Sequence, residues 1–188
     1  MAPCMQVWWR RAQLALVVVI AWLVVRDSVA DVNRVSSESM TPTLIPGDRI
    51  LVDRLSYGLR LPFQSGWFVE WSYPEKGDIV VCADPSDGSR LVKRVVAVAG
   101  DQLEMRDGRL WVNGESKGDA PGTDLLPIVV PSRHYFVLGD NRGCSVDSRC
   151  FGFVSHDKIA GRVRAVAVSL DPARHHFPRG DRWGRVLR

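Results

Sequence analysis

Leu91-Val92-Lys93-Arg94-Val95-Val96-Ala97-Val98 is an apolar run that carries two adjacent cations. It lies inside residues 90–99, a Val-rich segment flanked by Ser, Gly and Asp, and such a segment reads as a β-strand. Side chains alternate faces along a strand. Lys93 therefore shares a face with Leu91, Val95 and Ala97, and Arg94 shares the other with Val92, Val96 and Val98. Both cations sit in apolar rows, so at least one is expected to be partly buried. Burial disfavours the charged form of Lys, whereas Arg stays charged. At an ordinary pKa about one Lys in a few thousand is neutral at pH 7, and each unit of lowering costs about 1.4 kcal/mol. The bland alternative is a strand Lys whose head reaches water.

Working outward, residues 49–55 and 77–83 read as further strands. Residues 102–106 and 109–112 flank Asp107-Gly108, a two-residue hairpin signal. Asn113-Gly114 makes the next turn. Residues 115–127 are polar with Gly and Pro and read as a surface loop, and 134–138 and 160–170 as two more strands. Residues 59–71 (LRLPFQSGWFVEW) read as an apolar loop, broken by Pro62 and Gly66. That loop is either core packing or a lipid contact, since Trp favours the membrane interface. No long amphipathic helix and no repeat is visible. Many short strands between turns predict a mainly β domain.

At 188 residues the chain is long enough for one domain with its own core. Its net charge of +4 is concentrated in residues 171–188, which hold five Arg and two Asp. No nucleic-acid motif accompanies this charge, so a nucleic-acid partner is not expected. A basic segment on a tethered domain fits anionic lipid better. The tail is either a free arm or a last piece docked on the sheet.

Residues 12–25 (AQLALVVVIAWLVV) are uncharged. They are short for a membrane span, which needs about 20 residues. Flanking apolar residues 5–9 extend the segment if Arg10 and Arg11 snorkel. A cleaved secretory signal ending at Ser28-Val29-Ala30 is the rival reading. Arg10 and Arg11 precede the segment, while Arg26, Asp27, Asp31 and Arg34 after it cancel. The positive-inside rule then puts the N-terminus in the cytoplasm and residues 26–188 outside.

Val35-Ser36-Ser37-Glu38-Ser39-Met40-Thr41-Pro42-Thr43-Leu44 follows. A Ser exposed before a rigid turn is a candidate nucleophile, but it needs a base. None of His134, His156, His175 and His176 lies in a run that suggests a Ser-His-Asp site. Lys93 remains. Alone, the Ser-rich stretch has the composition of a plain linker. Its order with later blocks is more specific: Gly47-Asp48, then Gly77-Asp78-Ile79-Val80-Val81, Lys93-Arg94, Gly100-Asp101, and Gly139-Asp140-Asn141-Arg142 through Ser145, Asp147, Ser148, Arg149, Gly152 and Phe153.

That ordered series resembles the type I signal peptidases, the membrane-bound Ser/Lys endopeptidases, over residues 22–170. The resemblance implies a coiled antiparallel β-sheet catalytic domain with one N-terminal transmembrane helix. The segments would be a cytoplasmic N-terminus (1–11), an uncleaved anchor (12–28), an extracytoplasmic peptidase domain (29–170) and a basic tail (171–188), on the cell's inner membrane. It implies Ser39 as nucleophile and Lys93 as general base. The Ser39 N–H and the Ser37 hydroxyl would form the oxyanion hole, and Ser145 would orient the lysine. Asp140, Asn141, Arg142, Asp147 and Arg149 would scaffold the site, and Met40 would line small substrate pockets. Signal peptides of exported preproteins and membrane lipid are the implied partners. No cofactor or metal is called for.

The chain departs from the family at Gly143-Cys144 and at Cys150, which bracket Ser145, Asp147 and Arg149. In an oxidising compartment Cys144 and Cys150 are candidates for a disulfide; two free thiols are the alternative. Three rival functions stand beside signal-peptide removal. One is a specialised conjugation- or pilin-processing Ser/Lys peptidase. Another is a self-cleaving repressor-type protein, which would need a DNA-binding domain where this chain has an apolar segment. The last is an inactive, membrane-tethered β-domain acting as a partner protein.

Overall fold

The computed structural model describes residues 9–16, 30–60 and 66–187. Residues 9–16 are helical. No helix among the described residues is long and apolar enough to cross a membrane. Most of the expected anchor, from residue 17 on, lies outside them.

The rest is mainly β. A nine-stranded, curled antiparallel sheet is built from β1 (Ala30–Arg34), β2 (Asp48–Asp53), β5 (Ile79–Ala83), β6 (Arg90–Ala97), β11 (His134–Leu138), β12 (Val154–Ser155) and β13 (Ile159–Asp171), in the order β1-β2-β13-β5-β6-β11-β12. β14 (Phe177–Pro178) and β15 (Arg185–Val186) pair with β13. β13 is 13 residues long and is the spine, pairing with β2, β5, β14 and β15. Its register shifts between Ile159 and Gly161, between Val163 and Ala165 and between Val166 and Val168. Bulges bend a strand and raise its twist, which curls the sheet.

A second sheet of four strands has the order β10-β7-β8-β9: β7 (Gln102–Arg106), β8 (Arg109–Val112), β9 (Glu115–Asp119) and β10 (Leu125–Val129). Asp107 and Gly108 both take positive φ (52° and 68°) in the β7–β8 turn, as do Asn113 and Gly114 (51° and 80°) between β8 and β9. The Asp-Gly and Asn-Gly pairs are suited to that conformation. A small hairpin, β3 (Gly58–Leu59) with β4 (Val69–Glu70), carries exposed Phe68, Val69 and Trp71. This is the described part of the apolar 59–71 stretch.

The expected surface loop over 115–127 is corrected: it contains β9 and the start of β10. All five residues of β9 are exposed, so no apolar alternation marks the strand, and only backbone pairing with β8 defines it. Pro127 sits where the β10 register shifts, on an edge strand, where a missing N–H is tolerated. β1 also goes unmarked in the sequence.

The tail is docked rather than free. Arg182 donates to both carboxylate oxygens of buried Asp48, at 3.2 and 2.7 Å, and to Thr43 O at 3.0 Å. Asp48 is held below the usual carboxylate range because Arg182, Ser169 and the Ile45 N–H together outweigh the opposing effect of burial. Leu187 joins Val35, Met40, Leu44, Ile50, Val52, Ile79, Val81, Val163 and Val166 in the core beneath the large sheet. A second core, with Val96, Ala97, Phe136 and Leu138 on one side and Leu103, Met105, Leu110 and Val112 on the other, clamps the small sheet to β6 and β11.

Candidate active site

β1 runs straight into the Ser-rich segment. Val35 N donates to Asp48 O (2.8 Å), and Gly47 N donates back to Val35 O (2.9 Å), so the segment is pinned at its start. Met40 and Leu44 are driven into the core, and the Leu44 N–H closes a turn on Met40 O at 2.9 Å. Ser39 precedes that anchor and is carried over β6.

On β6, Lys93 is 2% exposed. Its Nζ lies 2.8 Å from Ser39 Oγ, and among the described residues this is its one hydrogen-bond partner. Burial pushes the amine below its ordinary value, and the nearby Asp147 carboxylate opposes only part of that. A nucleophile and base pair at this separation suits proton transfer. Arg94, on the opposite face of the strand, makes the other arrangement. It donates to both oxygens of Asp140 at 2.8 Å and to Gly77 O at 2.8 Å.

The loop after β11 holds Ser39 from the far side. Asn141 N donates to Ser39 O (3.0 Å), and Asn141 Nδ2 donates to Glu38 O (3.2 Å). A Cβ on Gly139 would collide with Ser39 O and with the Ser145 side chain, so only glycine fits between them. Asp147 is fully buried and accepts from Gly139 N at 3.0 Å and from Arg149 at 2.8 and 2.9 Å. Burial acts to raise its pKa, but Arg149 and the Gly139 N–H win and hold it below the usual range. Arg149 Nη1 reaches Pro121 O (2.8 Å), tying this loop to the small sheet's connection.

The structure brings together Ser37, Ser39, Met40 and Lys93, which line one narrow cavity of about 80 Å³ with Arg34, Val35, Ser36, Arg90, Leu91 and Val92. Ser37 Oγ accepts from Ser39 N at 3.1 Å, so the two expected oxyanion donors face each other. Asp140, Asn141, Asp147 and Arg149 form the supporting network. Arg142 lies at half-buried depth beside it, and burial lowers its pKa. Ser145 Oγ is buried against Gly139 and beside the Asp147 carboxylate, whose pKa it helps to lower, but it makes no well-formed hydrogen bond to Lys93 or another described group.

Cys144 and Cys150 are both exposed free thiols, so the disulfide option is not taken up. The loop is closed without it. Cys144 N donates to Asn141 O (3.1 Å), Cys150 N donates to Asp147 O (2.7 Å) in the short helix Ser148–Phe151, and Asp147 caps that helix.

A profile of the signal peptidase, peptidase S26, family matches residues 8–168. The chain belongs to this family. Signal peptidase I of Pseudomonas fluorescens is 34% identical over 210 residues, covering 87% of this chain and 74% of that protein. Signal peptidase I P of Bacillus subtilis subsp. natto is 34% identical over 185 residues, covering 89% and 91%. A probable signal peptidase I-2 of Synechocystis sp. is 32% identical over 174 residues, covering 86% and 74%.

In this signal peptidase family member the sequence reading missed three supporting groups. Arg94 is the partner of Asp140; an Arg in an apolar row implies a buried carboxylate, and that signal was available. Gly139 is needed for close approach. Ser148 Oγ accepts from Val137 N at 2.9 Å and fixes the end of β11. The motif series includes Gly139 and Ser148, but no local pattern announces these two contacts.

Proposed function

We propose that the chain is a membrane-anchored serine endopeptidase that removes signal peptides from exported preproteins with Ser39 and Lys93. The reading is carried by one observation: a buried amine whose hydrogen-bond partner is a serine hydroxyl at 2.8 Å, not a carboxylate.

The chemistry is acyl transfer. Neutral Lys93 takes the Ser39 Oγ proton as the oxygen adds to the scissile carbonyl. The new oxyanion is held by the Ser39 N–H and the Ser37 O–H. For this, Ser37 turns its hydroxyl from accepting the Ser39 N–H to donating to substrate. Lys93 then gives its proton to the leaving amine, and the C–N bond breaks to leave an ester on Ser39. The amine next deprotonates water, which attacks the ester, and the proton returns to Ser39 Oγ. Ser145, whose hydroxyl lies buried against Gly139, is assigned the role of steadying the lysine amine. Ser-Lys pairs are an established variant of triad logic.

The cavity beside Ser39 is small, about 80 Å³. That size favours Ala-like residues near the cut. The Arg90–Lys93 part of β6 pairs only with β5, while β11 joins β6 from Arg94 onward. Its other edge faces the cavity, and an extended substrate can add there as a strand. Residues 12–28 are the anchor, residues 1–11 are cytoplasmic, the domain over 29–170 is extracytoplasmic, and the basic tail over 171–188 stays with it. Exposed Phe68, Val69 and Trp71 on the small hairpin offer the domain a lipid contact.

The test is incubation of the detergent-solubilised full chain with an Ala-x-Ala preprotein, with the Ser39→Ala protein alongside. Cleavage after the second Ala by the unaltered chain alone is expected. Equal processing by the Ser39→Ala protein would overturn the assignment.

A further inference from the structure

On the solvent face of the β1–β2 ribbon, Arg34 stands directly opposite Arg49. Both are exposed. Directly opposed residues on paired strands have Cβ atoms about 5 Å apart, and like charges there destabilise the pair. Neither arginine has a carboxylate partner among the described residues. Acids of the neighbouring segments pair with other cations: Asp31 with Arg90 at 3.2 Å, Asp48 with Arg182 at 2.7 Å and Asp171 with Arg179 at 3.0 Å.

Arg34, Arg49 and His176 line one pocket of about 330 Å³, with Gly47 and Leu170 at its base. His176 is carried there by the docked tail, with its backbone in the left-handed region (φ 61°) and its N–H bonded to Asp171 O at 2.9 Å. Gly47, at φ 95°, has its Cα pressed on Leu170 O, so no side chain fills the base. Three basic groups from three separate segments thus converge on one concavity, and no acid lines it. An uncompensated arrangement of this kind is what an oxyanion completes, because guanidinium groups bind phosphate through paired N–H donors.

We propose that this pocket binds a phosphate-type oxyanion between Arg34, Arg49 and His176. Arg34 also lines the cavity that holds Ser39 and Lys93, so the site adjoins the substrate cleft. The ligand is either a soluble phosphate or a lipid headgroup phosphate, and the chemistry is the same. The proposal does not depend on the Ser39–Lys93 reaction, and none of its readouts is cleavage.

The full chain in zwitterionic detergent is titrated with inorganic phosphate. In parallel it is incubated with vesicles of phosphatidylcholine, with and without phosphatidylglycerol. The variants are Arg49→Gln and His176→Gln. Binding is expected to weaken about 5-fold in each variant, the effect of losing one exposed charge contact. Thermal stability without ligand should stay level or rise in Arg49→Gln, since one of two facing like charges is gone. Weakened retention on phosphatidylglycerol vesicles assigns the site to lipid headgroups. Weakened phosphate binding with unaltered vesicle retention assigns it to a soluble oxyanion. If neither phosphate nor phosphatidylglycerol binding responds to the two variants, the proposal is overturned.

Discussion

The two faces of β6 treat adjacent cations in opposite ways. On one face, Lys93 is buried against a hydroxyl, and its charge is left without a hydrogen-bonded counterion. On the other, Arg94 is gripped by both oxygens of Asp140. Lys can lose its proton when desolvated, and Arg cannot. The fold therefore neutralises Arg94 with a carboxylate, and at Lys93 burial lowers the amine's pKa instead. One face carries an ion pair, and the other carries the proposed base.

Activity gives the largest separation between the faces. Lys93→Ala and Lys93→Arg should each lower preprotein cleavage by about 10⁴-fold or more, as loss of a catalytic base does. A guanidinium cannot serve as the base, so retained activity in Lys93→Arg, measured by single-turnover cleavage, would break the contrast.

Next comes stability. Arg94→Met strands the Asp140 carboxylate, which is 13% exposed, and should destabilise the domain by about 3 kcal/mol. Urea unfolding measures this. Lys93→Met removes a buried amine with no ion-pair partner and should stabilise the domain by about 1 kcal/mol at neutral pH. The same sign for both variants would mean that the two faces are alike.

The pH dependences sharpen the same point. With its pKa depressed in the fold, Lys93 is a base above that value and an ammonium below it. The log of kcat/KM should therefore fall on acidification, and a flat profile between about pH 5 and 9 would contradict the assignment. For stability, the unfolded chain holds the Lys93 proton up to the ordinary value of 10.5, whereas the folded chain releases it earlier. Across that window wild-type stability rises with pH. The advantage of Lys93→Met should accordingly shrink as pH climbs from neutral toward that value. Thermal midpoints of both proteins across the window read this, the smallest of the effects.

How legible each part was follows from what each residue responds to. β6, β7, β8 and their Asp-Gly turn answer to local rules, namely apolar runs and positive-φ pairs, and they stand where the pattern puts them. β9 and β1 answer to backbone pairing with neighbours distant in sequence or polar on both faces, and no local pattern marks them. In the site, Ser39 and Lys93 were legible through the order of motifs. The cavity that gathers Ser37, Met40 and Lys93 depends on how β1 and β6 approach, which is tertiary. Cys144 and Cys150 suggested a covalent loop, but the Asp147–Arg149 pair and the helix cap already hold it. The tail's docking rests on Arg182 finding Asp48 across more than a hundred residues, beyond any local rule.

Gly139 carries the last consequence. Apart from its N–H, given to Asp147, it offers no polar group, yet its missing side chain is what lets the strand end lie between the Ser39 carbonyl and Ser145. A library of substitutions across this domain should find that position as intolerant as Ser39 itself, with even Gly139→Ala lost. Sensitivity to mutation here is a map of crowding as much as of chemistry.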